Sequence, residues 1–280
     1  MERNFTQELT NENYYSQQAN MEYMSASQFK DFLECEKQAL AKLVGEYETK
    51  PTKAMMVGSY VDAYFSGELN EFKEKNPEIF KKDGTLLKDF EQANEIIKAI
   101  ESDKLMLKYL NGEHQKIMVG EIGGVKYKIK IDSLLKDCIV DQKIMSSYKE
   151  LVWCDDKKRY VDFVEAYGYD IQGAIYQEIV RQNIGKKLPF VLAVATKEEG
   201  CDRALIQIDQ YWLDQALELV ERNSEHFDLI KKGIIAPIGC GHCPICRKTH
   251  QCDTVISYEQ LFNKEKPNEN IERNDWFNAT

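Results

Sequence analysis

Asp132 and Asp141 stand nine positions apart in the segment IDSLLKDCIVDQKIM, and Lys143 follows Asp141 by two. Two carboxylates can hold one or two Mg²⁺ or Mn²⁺ ions, which polarise a phosphodiester and lower the pKa of a bound water. A neighbouring ammonium orients the nucleophile or offsets developing charge. An exposed hairpin laced with salt bridges has the same spacing, so these three residues alone do not decide the chemistry. A second reactive set is CGHCPICRKTHQC, in which Cys240, Cys243, Cys246 and Cys252 are separated by two, two and five residues. Four clustered cysteines suit tetrahedral Zn²⁺, although structural zinc sites more often show two pairs across a longer spacer.

Positioning these groups requires strands around the acids. The alternating run QKIMVGEI-GG-VKYKIKIDSLL-KD-CIVDQKIM reads as three antiparallel strands, with tight turns at Gly123-Gly124 and Lys136-Asp137. Parity puts Lys126, Lys128, Lys130 and Asp132 on one face, and Asp141 with Lys143 on one face of the next strand. If register brings those faces together, the three groups converge at the open end of the hairpin. Helical periodicity marks SASQFKDFLECEKQALAKLVGE as one helix with Cys35 inside it, then AMMVGSYVDAYFSG, FEQANEIIKAIESDKLMLKYL, YDIQGAIYQEIVRQNIG and a long helix from Gln210. Two further strands fall in PFVLAVATKE and DRALIQID. The expected fold is mixed α/β, a central mixed sheet flanked by helices. Its single domain is expected over 25–262, between a loose arm at 1–24 and a frayed tail at 263–280.

These segments, in this order, resemble the PD-(D/E)XK nuclease superfamily, in particular RecB-like and RecE-like phage exonucleases, over residues 25–252. The carriers are SASQFKDFLEC, Gly58 to Asp62, Glu121, Asp132, Asp141-Gln142-Lys143, and Gln172 with Tyr176. Asp62 stands where that group usually has histidine, and a carboxylate there remains a ligand for a hard cation. The resemblance implies a restriction-endonuclease-like core with Asp132, Asp141 and Lys143 catalytic and Asp62, Asp132 and Asp141 around the metal. Gln172 and Tyr176, four apart on one helix face, are implied to position the DNA backbone. Lys128 and Lys130 would extend that contact as a phosphate track. The same group offers another cysteine set: Cys35 with Cys243, Cys246 and Cys252 is similar to its [4Fe-4S] staple. Zinc on the four clustered cysteines and iron-sulfur on this set stay open at this point. Cys138, Cys154 and Cys201 read as ordinary core or strand cysteines.

By the same resemblance, the activity is a metal-dependent exonuclease that resects double-stranded DNA ends, 5′ to 3′ and without ATP. It would work in phage recombination with a RecT-type annealing protein and as a homo-oligomeric ring. The alternatives are an end-trimming nuclease of CRISPR-adaptation or AddB-like type, and a catalytically silent DNA-binding scaffold. No phosphate-binding loop of the G-x4-G-K-[ST] type occurs. A formal charge of −10 excludes a generic polyanion-binding surface, so any nucleic-acid contact must be local. No long apolar run or secretory leader is visible, and the expected location is cytoplasmic, with no membrane partner.

Overall fold

The computed structural model describes residues 8–154 and 157–262. Among the described residues, seven α-helices lie ahead of the main sheet: α1 (Gln17–Glu22), α2 (Ala26–Glu34), α3 (Glu36–Leu43), α4 (Lys53–Phe65), α5 (Leu69–Lys75), α6 (Lys88–Glu101) and α7 (Lys104–Leu110), with a short 3-10 turn at Pro77–Ile79. Strands β1 (Glu113–Ile122), β2 (Val125–Leu134) and β3 (Ile139–Met145) follow, then a small pair, β4 (Val152–Cys154) and β5 (Arg159–Val161). Helices α8 (Phe163–Tyr167) and α9 (Tyr169–Ile184) cross to β6 (Phe190–Thr196) and β7 (Arg203–Gln207). Helices α10 (Gln210–Lys231), α11 (Pro244–Thr249) and α12 (Tyr258–Phe262) complete the described chain.

The five-stranded sheet has the order β1-β2-β3-β6-β7. Only the β3–β6 pair is parallel; the others are antiparallel, so the sheet is mixed. Strand β6 is buried throughout, as a strand covered on both faces must be. Its alternate residues feed two cores. Leu192 and Val194 pack with Tyr127, Ile129 and Ile131 of β2 beneath α2, α9 and α10. Val191, Ala193 and Ala195 pack with Val140 beneath α4, α6 and α7. The result is three layers, helices on either side of the sheet.

Several expected boundaries move. The stretch expected as a loose arm is packed from Tyr14 onward, with Tyr14, Ala19 and Met24 buried. Met24 forms a parallel bridge to Tyr127 on the side of β2 that β3 leaves unpaired, through Met24 N–H to Lys126 O (2.8 Å) and Lys128 N–H to Met24 O (2.9 Å). Its first seven residues, and the tail expected at 263–280, lie outside the described residues. The helix expected to contain Cys35 is broken there: Cys35 is extended (φ −166°, ψ 110°), ending α2 and opening α3. The helix expected over 90–110 divides where the Asp103 carboxylate accepts from Leu105 and Met106 N–H, capping α7. The Gly123-Gly124 turn falls as expected, joining Ile122 and Val125 with φ of +57° and +75°. No helix among the described residues is long and apolar enough to cross a membrane.

Candidate active site and cysteine cluster

Strands β2 and β3 pair at only two positions, Ser133 with Val140 and Leu134 with Ile139, and then part. Parting frees backbone N–H groups on β3 that a neighbouring strand would satisfy. The Asp132 carboxylate fills the gap, accepting from Gln142 N–H at 2.9 Å. Asp132 therefore reaches Asp141 and Lys143 across a fork near the closed end of the hairpin. The expected convergence at the open end, by register of two charged faces, is replaced by this splaying.

Asp141 is 1% exposed. Its Oδ1 accepts from Gln172 Nε2 at 2.7 Å. Its Oδ2 faces the Lys143 ammonium as an ion pair, yet lacks a hydrogen bond of ordinary geometry. Helix α9 brings Gln172 this close because Gly173 leaves room: a Cβ there would lie 2.6 Å from the Phe190 ring. Tyr176, one turn along, donates to Lys130 O at 3.0 Å and so joins α9 to β2. Gln172 and Tyr176 thus brace the site's own framework while both line the groove, where the resemblance implied that they position the DNA backbone.

Asp62 comes in from α4 to line the same groove, of about 610 Å³, together with Asp132, Asp141, Lys143 and Gln172. Burial, then the nearby Asp141 charge, raises the Asp62 carboxyl above the usual range. Asp132 is raised well above it, first by burial and then by Asp141 and Asp62. Burial opposes the Lys143 charge, but Asp141 and Asp132 outweigh it and hold the ammonium protonated. The three crowded carboxylates are offset mainly by the Lys143 ammonium, which pairs with Asp141, with Lys130 acting more weakly on Asp62. A hard cation on oxygen donors suits this surplus, and the unbonded Asp141 Oδ2 is a position from which to hold it.

The expected lysine track is interrupted. Lys128 is 1% exposed, and its ammonium donates to Tyr14 O and to Asn20 Oδ1 (2.8 Å for the latter). The Tyr14 ring covers it at 4.5 Å. Lys128 thus anchors the N-terminal segment, whereas half-buried Lys130 stays at the groove with the Tyr15 ring 5.3 Å from its ammonium. Lys30 of α2 also lines the groove and donates to Tyr167 O at 3.0 Å.

Glu121, read as a carrier of the resemblance, pairs with Lys126 beside the Gly-Gly turn and is absent from the groove. Gln115 lines the groove instead. Counting β1–β2 register from that turn sets Gln115 opposite Asp132, and a positive φ of 51° takes it out of the ladder. That count was available from the sequence. Tyr14 and Tyr15 were also missed; their segment has no periodicity that foretells packing.

The cysteines form a separate centre. Sγ atoms of Cys35, Cys240, Cys243 and Cys246 all lie within 4.8 Å of one another. Cys252 is exposed and outside this group. Both expected ligand sets are therefore corrected: Cys35 joins, as in the second set, but Cys240 takes the place of Cys252. The extended backbone at Cys35 turns its side chain toward the 240–246 loop instead of continuing a helix. Cys138 and Cys201 are buried core residues and Cys154 is half-buried.

Comparison with curated proteins gives no match. Among solved structures, a protein of Eubacterium rectale described as a "Putative exonuclease" is 47% identical, with a TM-score of 0.85 over 91% of this chain and 98% of that one. Residues 25–249 match the family model described as a PDDEXK-like domain of unknown function, DUF3799. With the acids gathered at a strand fork and the sheet sandwiched by helices, the chain belongs to that PDDEXK-like family, within the PD-(D/E)XK nuclease superfamily.

Proposed function

We propose that the chain is a divalent-metal-dependent deoxyribonuclease that acts as an exonuclease on double-stranded DNA ends. The observation that carries this is the meeting of Asp132, Asp141 and Lys143 at the fork, with Asp62 in the same groove. Mg²⁺ or Mn²⁺ held by Asp132 and Asp141, with Asp62 alongside, supplies Lewis-acid activation of phosphate and water. The chain's own residues do the positioning. Gln172 fixes the Asp141 rotamer through Oδ1 and leaves Oδ2 turned to Lys143. Gln142 N–H fixes Asp132. The Lys143 ammonium, kept charged by these acids, lies where negative charge grows as a phosphodiester is attacked. Lys30 and Lys130 offer ammonium groups to the flanking phosphates.

The finer reading is digestion 5′ to 3′ without ATP, in phage recombination, handing single strands to a RecT-type annealing protein, from a homo-oligomeric ring in the cytoplasm. It rests on the motif resemblance, and the relative's description agrees as far as the word exonuclease. The test is linear duplex labelled at the 5′ or 3′ end, incubated with Mg²⁺ or with chelator, beside Asp141→Ala. Metal-dependent loss of the 5′ label without ATP, absent in Asp141→Ala, supports the activity, its direction and its ATP independence. Loss of the 3′ label first supports the trimming alternative, and DNA binding without cleavage in any metal supports the silent scaffold.

A further inference from the structure

We infer that Cys35, Cys240, Cys243 and Cys246 form a site for a single Zn²⁺, not a four-iron cluster, and that Cys252 has no part in it. Zinc–sulfur bonds of about 2.3 Å in a tetrahedron place the sulfurs about 3.8 Å apart. Here Cys35 Sγ is 3.6 Å from Cys246 Sγ and 3.6 Å from Cys243 Sγ, and no pair of ligand atoms exceeds 4.8 Å. In a four-iron cluster each thiolate binds its own iron, so the sulfurs stand apart around a metal-sulfide core. This cage has no room for one. None of the four cysteines is in a disulfide.

The surrounding backbone is built for thiolates. Cys240 N–H points at Cys35 Sγ (3.4 Å), Cys243 N–H at Cys240 Sγ (3.3 Å) and Cys246 N–H at Cys243 Sγ (3.4 Å). Such donors favour the charged sulfur and fix the ligands before the metal arrives. Gly239 lets the chain pass beneath: a Cβ there would sit 2.8 Å from Cys246 Sγ. Two contacts beside the cage hold its halves together, Ile238 N–H to Glu36 Oε2 (2.6 Å) and Lys37 N–H to Ile238 O (3.2 Å). The ion would tie the α2–α3 junction to the segment after α10. Helix α2, which ends at Cys35, also carries Lys30 into the groove.

The test reads metal and thiol reactivity and is independent of any cleavage of DNA. Full-length protein from medium supplying both iron and zinc should contain about one zinc per chain and no acid-labile sulfide. Cys252→Ser should retain that zinc, and Cys240→Ser should lower it more than 10-fold. Because Cys240→Ser can fail to fold, native wild type is also alkylated with iodoacetamide and mapped by mass spectrometry. Cys252 should react while the four ligands are spared until a chelator strips the metal. Iron with sulfide, iron alone, a metal-free chain, or protection of Cys252 with reaction at Cys240 each overturns the assignment.

Discussion

At the scale of single residues, the crowded acids carry a cost to the fold that a bound cation, as proposed, would relieve. Burial and mutual repulsion push Asp132 and Asp62 upward, so each ionised carboxylate is unfavourable in the metal-free protein. Asp132→Asn keeps an oxygen to accept from Gln142 N–H and removes one charge. It should raise the metal-free unfolding free energy by about 1 kcal/mol while abolishing cleavage, the exchange seen when active-site strain is relieved. Denaturant unfolding in chelator checks it, and equal midpoints would count against a carboxylate surplus. Gln172 donates to Asp141 Oδ1 and lines the same groove. Gln172→Leu should raise the Mg²⁺ concentration for half-maximal activity about 10-fold, the usual effect of losing a ligand's own hydrogen-bond partner. A lower rate with unchanged Mg²⁺ dependence would assign Gln172 to DNA instead. That Asp132, Asp141 and Lys143 gather in one groove was legible from type, spacing and the motif resemblance, but the means of their meeting was not. Alternation foretells which face a side chain takes along a strand; it does not foretell where two strands stop pairing.

At the scale of elements, the sequence was most legible where periodicity is long. Strands β1, β2, β3, β6 and β7 and helices α4, α9 and α10 lie where alternation or helical spacing put them. The break at Cys35 was hidden because apolar spacing runs on from Phe29 and Phe32 to Leu40 across it. A tertiary demand, the turn toward Cys240, overrides that local pattern. The N-terminal segment was hidden for the opposite reason: it is polar, and two buried lysines hold it. Lys128 reaches Tyr14 O and Asn20, while Lys231 of α10 reaches Tyr23 O (2.8 Å) and Gln28 Oε1 (3.0 Å). Burial pushes Lys128 down to about 8. Burial pushes Lys231 down to about 7, against partial support from Asp228 and Glu22. For a lysine lowered in the folded state, the unfolded chain binds the extra proton between the two pKa values. Stability from this source is therefore lowest below pH 7 and rises through pH 7–10. Relative to Lys231→Met, wild type should gain on the order of 1–2 kcal/mol between pH 7 and pH 9. Urea unfolding of both proteins at the two pH values decides; parallel changes would mean that Lys231 is not desolvated.

At the scale of the whole molecule, the proposed function requires a net charge of −10 to coexist with a polyanionic substrate. On that proposal few positive groups are left for DNA at the groove: Lys143 is paired with Asp141 and Lys128 is covered by Tyr14, which leaves Lys30 and Lys130. Each phosphate neutralised contributes about 0.9 to the slope of log affinity against log salt. One groove engaging DNA through two lysines should thus give a slope of about −2. Lys130→Ala should make it shallower by about one. Fluorescence anisotropy on Asp141→Asn, which on the proposed function should bind without cutting, measures this at fixed divalent concentration. A closed ring presents several copies of the groove to one duplex, and its slope must scale with the number engaged. A slope steeper than about −5, with a multiple of the chain mass by light scattering, is expected of an enclosing ring. A slope near −2 with a monomeric mass would leave each chain to meet a DNA end alone, and processive digestion by such a monomer would rule out encirclement as the source of processivity.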